Sequence, residues 1–254
     1  MNIDNPSMAD VPLLRSLWCE AFGDTDAALN DFFLRAFSSR RCLCVKDGEA
    51  LIGAMYWFDC EYNGKKVAYI YAVATKREYR GRGVCASLMA RAHELLAEQG
   101  YAMAILSPAS EGLFGFYERL GYIDCTAISE SVIEASGRSV SLRRIGSEEY
   151  GCLRKALLPD GSVIQEGENL AFLETYAELY AGDGVLLAIQ QTDGEEDLRI
   201  IELLGDRTLG GDIASSFGCK RAFVRAFGNG KRFTMCKLFD NTVGKPKYFG
   251  LIFD

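Results

Sequence analysis

The sequence contains one histidine, His93, and five prolines among 254 residues, and no long run of lysine and arginine offsets its formal net charge of −7. The attraction that drives binding to nucleic acid or to an anionic membrane is therefore missing as a global feature, and a cationic or neutral partner fits better. No run of about 18 or more apolar residues occurs, and no basic-then-apolar leader opens the chain. Neither membrane insertion nor export is expected, and the cytoplasm is the expected compartment. The nine cysteines, at 19, 42, 44, 60, 85, 125, 152, 219 and 236, include no CxxC pair. They lack the spacing of a zinc site or a redox dithiol, so no metal is expected and the thiols read as reduced, small core residues.

What is present fits a folded, soluble protein: 49% hydrophobic and 25% charged residues in a length between one long domain and two ordinary ones. Helical spacing of Val11, Leu14, Leu17, Trp18 and Phe22 predicts a helix from Ser7 to Phe22, and a second follows over Asp24 to Phe37. The period then changes. Short apolar runs at Cys42 to Val45, Leu51 to Cys60 and Val67 to Ala74, punctuated by Asp47-Gly48 and Asn63-Gly64, predict a three-stranded antiparallel meander. A helix over Gly83 to Glu98, a strand at Met103 to Ser107 and a short helix over Gly112 to Leu120 follow. Strands at Tyr122 to Ile133 and Arg138 to Leu142 then close a first module near Arg144.

From Gly146 the pattern begins again. Helices are expected over Ser147 to Leu157 and Glu168 to Tyr180, then a hairpin of Gly184 to Gln190 against Leu198 to Leu204. The glycine-rich successor here is only Gly210-Gly211, so residues 145–254 read as an incomplete second copy of the unit in residues 1–144.

The segment Tyr69 to Leu88, YIYAVATKREYRGRGVCASL, carries the strongest chemical signal: an apolar strand, a basic loop with two glycines, then an amphipathic helix. The first-turn N–H groups of such a helix, at the positive end of its dipole, form an anion site suited to a pyrophosphate. Gly81 and Gly83 permit close backbone approach, and Arg80 and Arg82 add positive charge. The loop is neither GxGxxG nor GxxxxGK[ST], which disfavours a nicotinamide dinucleotide or ATP.

This loop resembles that of the GCN5-related N-acetyltransferase (GNAT) superfamily, whose pattern is (Arg/Gln)-x-x-Gly-x-(Gly/Ala). Arg80 stands first and Gly83 fourth; Cys85 is a departure at the sixth position. Downstream, GLFGFYERLGY (112–122) is similar to the family's second signature, with Tyr117 in the tyrosine's place. The resemblance spans roughly residues 7 to 142. It implies a mixed α/β fold in which Val73, Ala74, Thr75 and the loop Arg80, Gly81, Arg82, Gly83, Val84 and Cys85 hold acetyl-CoA. An amine would attack the thioester directly, with Tyr117 as general acid and no metal. ILSPASEGLFGFYERLGY also resembles acetyltransferases of the enhanced-intracellular-survival type. In those a C-terminal carboxylate reaches the site, which leaves two readings for KYFGLIFD: a tail whose last residue, Asp254, borders the acceptor pocket, or an ordinary closing strand of the second module.

No residue is marked as the general base; Asp59, Glu61 and Tyr71 are candidates, and water is another. His93 falls off the apolar stripe of its helix, ten residues beyond Gly83 and hence about 15 Å along the helix, and reads as structural or solvated. The expected acceptor is a small-molecule amine or a peptide, and a homodimer contact is compatible with the second module. Two other readings stay open: a module that binds acyl-CoA or a protein but has lost chemistry, and a transferase using another acyl-CoA.

Overall fold

Turn chemistry sets the first sheet. In the computed structural model, which describes residues 1–27, 29–182, 184–190 and 196–253, Gly48, Asn63 and Gly64 take positive φ values of 60°, 50° and 72°. Tight hairpin connections require that conformation. The elements up to the short helix are β1 (Asn2–Asp4), α1 (Val11–Phe22), α2 (Leu29–Arg35), β2 (Cys42–Asp47), β3 (Ala50–Tyr62), β4 (Lys65–Thr75), α3 (Val84–Glu98), β5 (Tyr101–Leu106) and α4 (Glu111–Arg119). There follow β6 (Ile123–Glu134), β7 (Arg143–Ile145), α5 (Ser147–Leu157), β8 (Ile164–Gln165), α6 (Glu168–Leu173), β9 (Ala177–Gly182), β10 (Val185–Gln190), β11 (Asp197–Gly205), α7 (Gly210–Ser216), β12 (Arg221–Phe227) and β13 (Lys231–Leu238).

The chain forms two compact units. Unit 1 is Met1–Ile123 with Met235–Gly244, and unit 2 is Asp124–Thr234 with Lys245–Asp254. The division expected at Arg144 therefore falls at Ile123, and a later segment returns to unit 1. The reason is strand pairing. The edge of β5 is taken antiparallel by the second half of β13, Met235 opposite Leu106 and Leu238 opposite Met103, whereas β6 pairs with β12.

In unit 1 the strand order is β1-β2-β3-β4-β5-β13, with β4 and β5 parallel and the other pairs antiparallel. Strand residues alternate between faces, and the two faces are covered differently. Met55, Trp57, Ala68 and Ile70 pack with Val84, Leu88 and Leu96 of α3 and with Phe114 of α4. On the other face Trp18 of α1 and Phe32 of α2 lie with their rings 5.2 Å from that of Tyr56, and 5.6 and 5.8 Å from that of Tyr71. A fully buried side chain of this size contributes about 1.5–3 kcal/mol, so both layers hold the sheet between them.

The helix expected from Ser7 begins with a separate 3₁₀ turn, Met8–Asp10, in which the Asp10 carboxylate accepts from the Ser7 N–H at 2.8 Å. Pro12, at the start of α1, suits a first helical turn where no backbone donor is needed.

Unit 2 orders its strands from the first half of β13 through β6, β12, β11, β10 and β9 to β7. The expected helix Glu168 to Tyr180 ends at Leu173, and Ala177–Gly182 is a strand instead. Its burial alternates residue by residue and it pairs with β10, so a period of two overrides the helical pattern. The strand expected over Arg138 to Leu142 is also absent, the pairing being made by Arg143–Ile145 with β9. The tail 247–253 forms no strand beyond a single bridge between Tyr248 and Ser162. Even so, β9, β10, β11, a 3₁₀ turn, α7 and a parallel β12 repeat the order β2, β3, β4, a 3₁₀ turn, α3 and a parallel β5.

Candidate functional site

The parallel pairing of β4 with β5 runs from Lys66 opposite Tyr101 to Tyr69 opposite Ile105 and stops there, while β4 continues to Thr75. Next to this point β4 is irregular against β3. Tyr56 faces Tyr71 and Ala54 faces Ala74, so two residues of β4, Ala72 and Val73, oppose the single Met55. Ala72 takes φ 48°, a left-handed value that costs a non-glycine residue on the order of 1 kcal/mol. Such a bulge turns backbone groups out of the ladder. The strands part where β4's peptide groups are free to meet a ligand.

A cavity of about 480 Å³ occupies this gap. The strand contributes Val73, Ala74 and Thr75 to its lining, and the loop and helix beyond contribute Arg80 and Cys85. The rest of the wall comes from α1, with Ala21 and Phe22, and from α4, with Leu113, Phe116 and Tyr117. Because α1 covers one face of the sheet and α3 and α4 the other, the cavity runs through the split rather than along one side.

Six residues named from the sequence, Val73, Ala74, Thr75, Arg80, Cys85 and Tyr117, thus share one cavity. The others sit beside it. Gly83 is the N-cap of α3 with φ 79°, and Gly81 has φ 75°; a Cβ added at either would meet nothing within 4 Å. That leaves open space over the first turn of α3, whose N–H groups have no partner within the helix. The Arg80 side chain donates from Nε to the Thr75 carbonyl at 3.2 Å, tying the loop to the end of β4. Arg82 places its guanidinium over the Tyr79 ring, 5.3 Å from the centroid. The Val84 side chain belongs to the core, 2% exposed, which leaves only its backbone to the loop side.

Burial shapes the thiol and the phenol of the cavity. It pushes the Cys85 thiol up to about 11, which keeps it neutral and poorly nucleophilic. Burial, and secondarily Cys85, pushes the Tyr117 phenol above its ordinary value, so it is a proton-bearing donor at neutral pH. Its ring rests on Tyr122 and Phe116, with centroids 5.7 and 5.2 Å apart.

Of the base candidates, Asp59 and Glu61 lie opposite Ala68 and Lys66. That is the far end of β4, about 16 Å or more from Val73 at the rise of a strand. Asp59 is moreover engaged by Tyr101 and Arg41. Tyr71 remains near the bulge, within the aromatic layer under α1. His93 is held away from the cavity, its Nε2 3.0 Å from the Tyr122 hydroxyl, and burial lowers it to about 4. Asp254 lies outside the described residues. The adjacent Phe253 packs within unit 2, its ring 5.4 Å from that of Phe172.

Phe22, Ala21, Leu113 and Phe116 were not singled out from the sequence. They are ordinary apolar helix residues there, and Phe22 counts only toward the apolar spacing that predicts the first helix.

A splayed parallel strand pair, a bulge at the split and a glycine-capped helix N-terminus coincide with a family match: residues 2–123 fit the model of the acetyltransferase (GNAT) domain. Residues 2–123 are similar to a GNAT domain. The fold extends the likeness over most of the chain. A GCN5-related N-acetyltransferase from Kribbella flavida has a TM-score of 0.74 at 20% identity, over 94% of this chain and 71% of its own. A protein of unknown function from Enterococcus faecalis V583, described as a probable N-acyltransferase, has a TM-score of 0.73 at 18% identity, with 94% and 73% covered. Eis1 from Mycobacterium abscessus has a TM-score of 0.71 at 13% identity, with 94% and 74% covered. At these identities the likeness is one of fold. No curated protein matches the sequence. Among the described residues no helix is long and apolar enough to cross a membrane, and no group of three or more His, Cys, Asp or Glu side chains is arranged to hold a metal ion.

Proposed function

We propose that the GNAT domain transfers an acetyl group from acetyl-CoA to a primary amine. The observation that carries this reading is the cavity that joins the glycine-capped start of α3 to the free end of β4 and to Tyr117. The cosubstrate's pyrophosphate would sit on the N–H groups of Gly81 to Cys85, with Arg80 and Arg82 supplying charge. Its pantetheine arm would run along Val73, Ala74 and Thr75 and complete the backbone pairing that β5 leaves open. The residues fit such a group: a Cβ-sized space at Gly81 and Gly83, unpartnered helix N–H groups and an apolar channel beyond.

The amine attacks the thioester carbonyl carbon. A C–N bond forms, the C–S bond breaks, and the sulfur leaves with the bonding pair. The N–H groups of the bulge would hold the oxyanion. Tyr117 gives its proton to the thiolate, and the proton lost by the amine passes to water and restores the phenol. The net products are an acetamide and free CoA thiol.

Unit 2 repeats the element order, and we assign it no cosubstrate site. A Cβ at Gly210 would meet Ile133 Cδ1 at 2.5 Å, and one at Gly211 the Glu134 carbonyl at 2.8 Å, so the space that is open at Gly81 and Gly83 is filled.

Thermal unfolding with excess acetyl-CoA tests the binding reading, because a ligand that binds only the native state raises its stability by about 2.7 kcal/mol at a hundredfold excess over Kd. Wild type is expected to be stabilised and Gly83→Glu to lose the shift while keeping an unliganded transition. Tyr117→Phe is expected to bind acetyl-CoA normally and lose about 10²–10⁴-fold in kcat. The absence of any shift in the wild type would overturn the assignment.

A further inference from the structure

The cavity has two ends, and the chemistry of each is different. The end at Arg80 and Cys85 carries the loop, its positive charge and the helix N-terminus, and suits an anion. The other end opens on the opposite face of the sheet, beside the last turn of α1. There Ala21 and Phe22 form the wall, and Leu113 lines the cavity from α4, across the split. Phe22 is 47% exposed and Leu113 37% exposed, large apolar side chains that line the cavity and still face water. Exposed apolar residues gathered at the mouth of a cavity mark a surface that a ligand covers.

The mouth is also held in place. The Glu20 carboxylate on α1 accepts from the Arg77 N–H at 2.8 Å, joining α1 to the segment that leads into the loop. Phe22 rests its ring edge-on against Trp18, with centroids 5.5 Å apart. A helix end tied to the loop segment in this way is a preformed contact surface rather than a frayed end. No aspartate or glutamate lines the cavity among the described residues. A polycation such as a polyamine would find no counter-charge for its second ammonium group, whereas an amine carrying one apolar substituent would have Phe22 and Leu113 to cover it.

Resting on the acetyl-transfer reading above, we infer that the acceptor is a monoamine with an aromatic or branched apolar substituent, and that Phe22 and Leu113 are its specificity-determining residues. The amine enters from the α1 side with its nitrogen at Val73 and its substituent between the two side chains. Transfer proceeds with the bond changes already given, the amine's proton passing through water to restore the Tyr117 phenol and the protonated thiol leaving as CoA.

The experiment measures thiol release by the full chain from acetyl-CoA with 2-phenylethylamine, ethanolamine and spermidine in parallel. The expected kcat/KM for 2-phenylethylamine exceeds that for ethanolamine and for spermidine by about tenfold or more. In Phe22→Ser, and separately in Leu113→Ser, that preference is expected to fall about tenfold through KM for the amine. Both positions are partly solvent-exposed, so folding is checked by the unliganded melting temperature of each. Spermidine or ethanolamine used as well as 2-phenylethylamine would overturn the inference and leave the transferase reading standing. So would a Phe22→Ser defect confined to KM for acetyl-CoA, which would assign the mouth to the donor. No thiol release with any amine, in a protein that acetyl-CoA fails to stabilise, would overturn both.

Discussion

His93 shows how a residue suited to catalysis is removed from it. Its Nε2 meets the Tyr122 hydroxyl, its ring lies 5.9 Å from that of Phe239, and burial followed by Lys237 lowers its pKa from 6.5 to about 4. The folded protein therefore keeps it neutral where an unfolded chain would protonate it. Between about pH 4 and 6.5 the unfolded state binds the extra proton, so stability rises with pH through that window and is lost as pH falls. His93→Gln is expected to flatten this component, worth up to about 3 kcal/mol, in urea unfolding at pH 4.5 and 7. An equal pH dependence in the two proteins would show that His93 titrates freely. Tyr117 is the complementary case: burial holds its proton on, and its side chain lines the cavity.

At the scale of elements, α5 meets β11 through a fully buried charge. Arg154, 1% exposed, donates from Nε and Nη2 to the two carboxylate oxygens of Glu202 at 2.8 and 2.9 Å, and Tyr150 and Tyr248 donate to the same carboxylate at 2.8 and 3.0 Å. Such a network stabilises only when complete, because a lone buried charge has neither water nor a partner. Glu202→Gln is expected to cost about 3–5 kcal/mol of stability in denaturant unfolding. Replacing the pair together, Arg154→Met with Glu202→Leu, should recover much of that loss. A cost below about 1 kcal/mol for Glu202→Gln would mean that water reaches the site and compensates.

Elements also differed in how plainly the sequence announced them. The glycine loop and α3 were legible because their signal lies in consecutive residues: two glycines, flanking arginines and one apolar stripe. Strand β9 was not, since Ala177 and Leu179 fall within the helical reading of Glu168 to Tyr180, and only pairing with β10 decides. The cavity mouth was hidden for a related reason. Phe22 and Leu113 lie on different helices, and nothing local in either marks them as neighbours of one ligand. The return of Met235–Leu238 to the edge of β5 is still less local, and strand pairing over that separation leaves no short-range mark.

At the scale of the whole molecule the question is how many cosubstrates one chain holds. Both units carry a three-stranded meander, a 3₁₀ turn, a helix and a parallel strand, and both have a register shift in the hairpin that precedes the helix, between Ala54 and Tyr56 in unit 1 and between Ala188 and Ile189 in unit 2. Topology alone would allow two sites. The difference lies in what fills the space before the helix. Gly83 caps a helix of 15 residues, Val84–Glu98, with nothing over it, whereas α7 has 7 residues and its Gly210 and Gly211 press on Ile133 and Glu134. A pyrophosphate finds no such open space at Gly210 and Gly211, where the end of β6 lies close. Titration calorimetry with acetyl-CoA or CoA is therefore expected to give one site per chain, and Gly83→Glu to leave none. Two sites in the wild type, or one surviving in Gly83→Glu, would mean that β6 moves away from α7 and that unit 2 binds the cosubstrate as well.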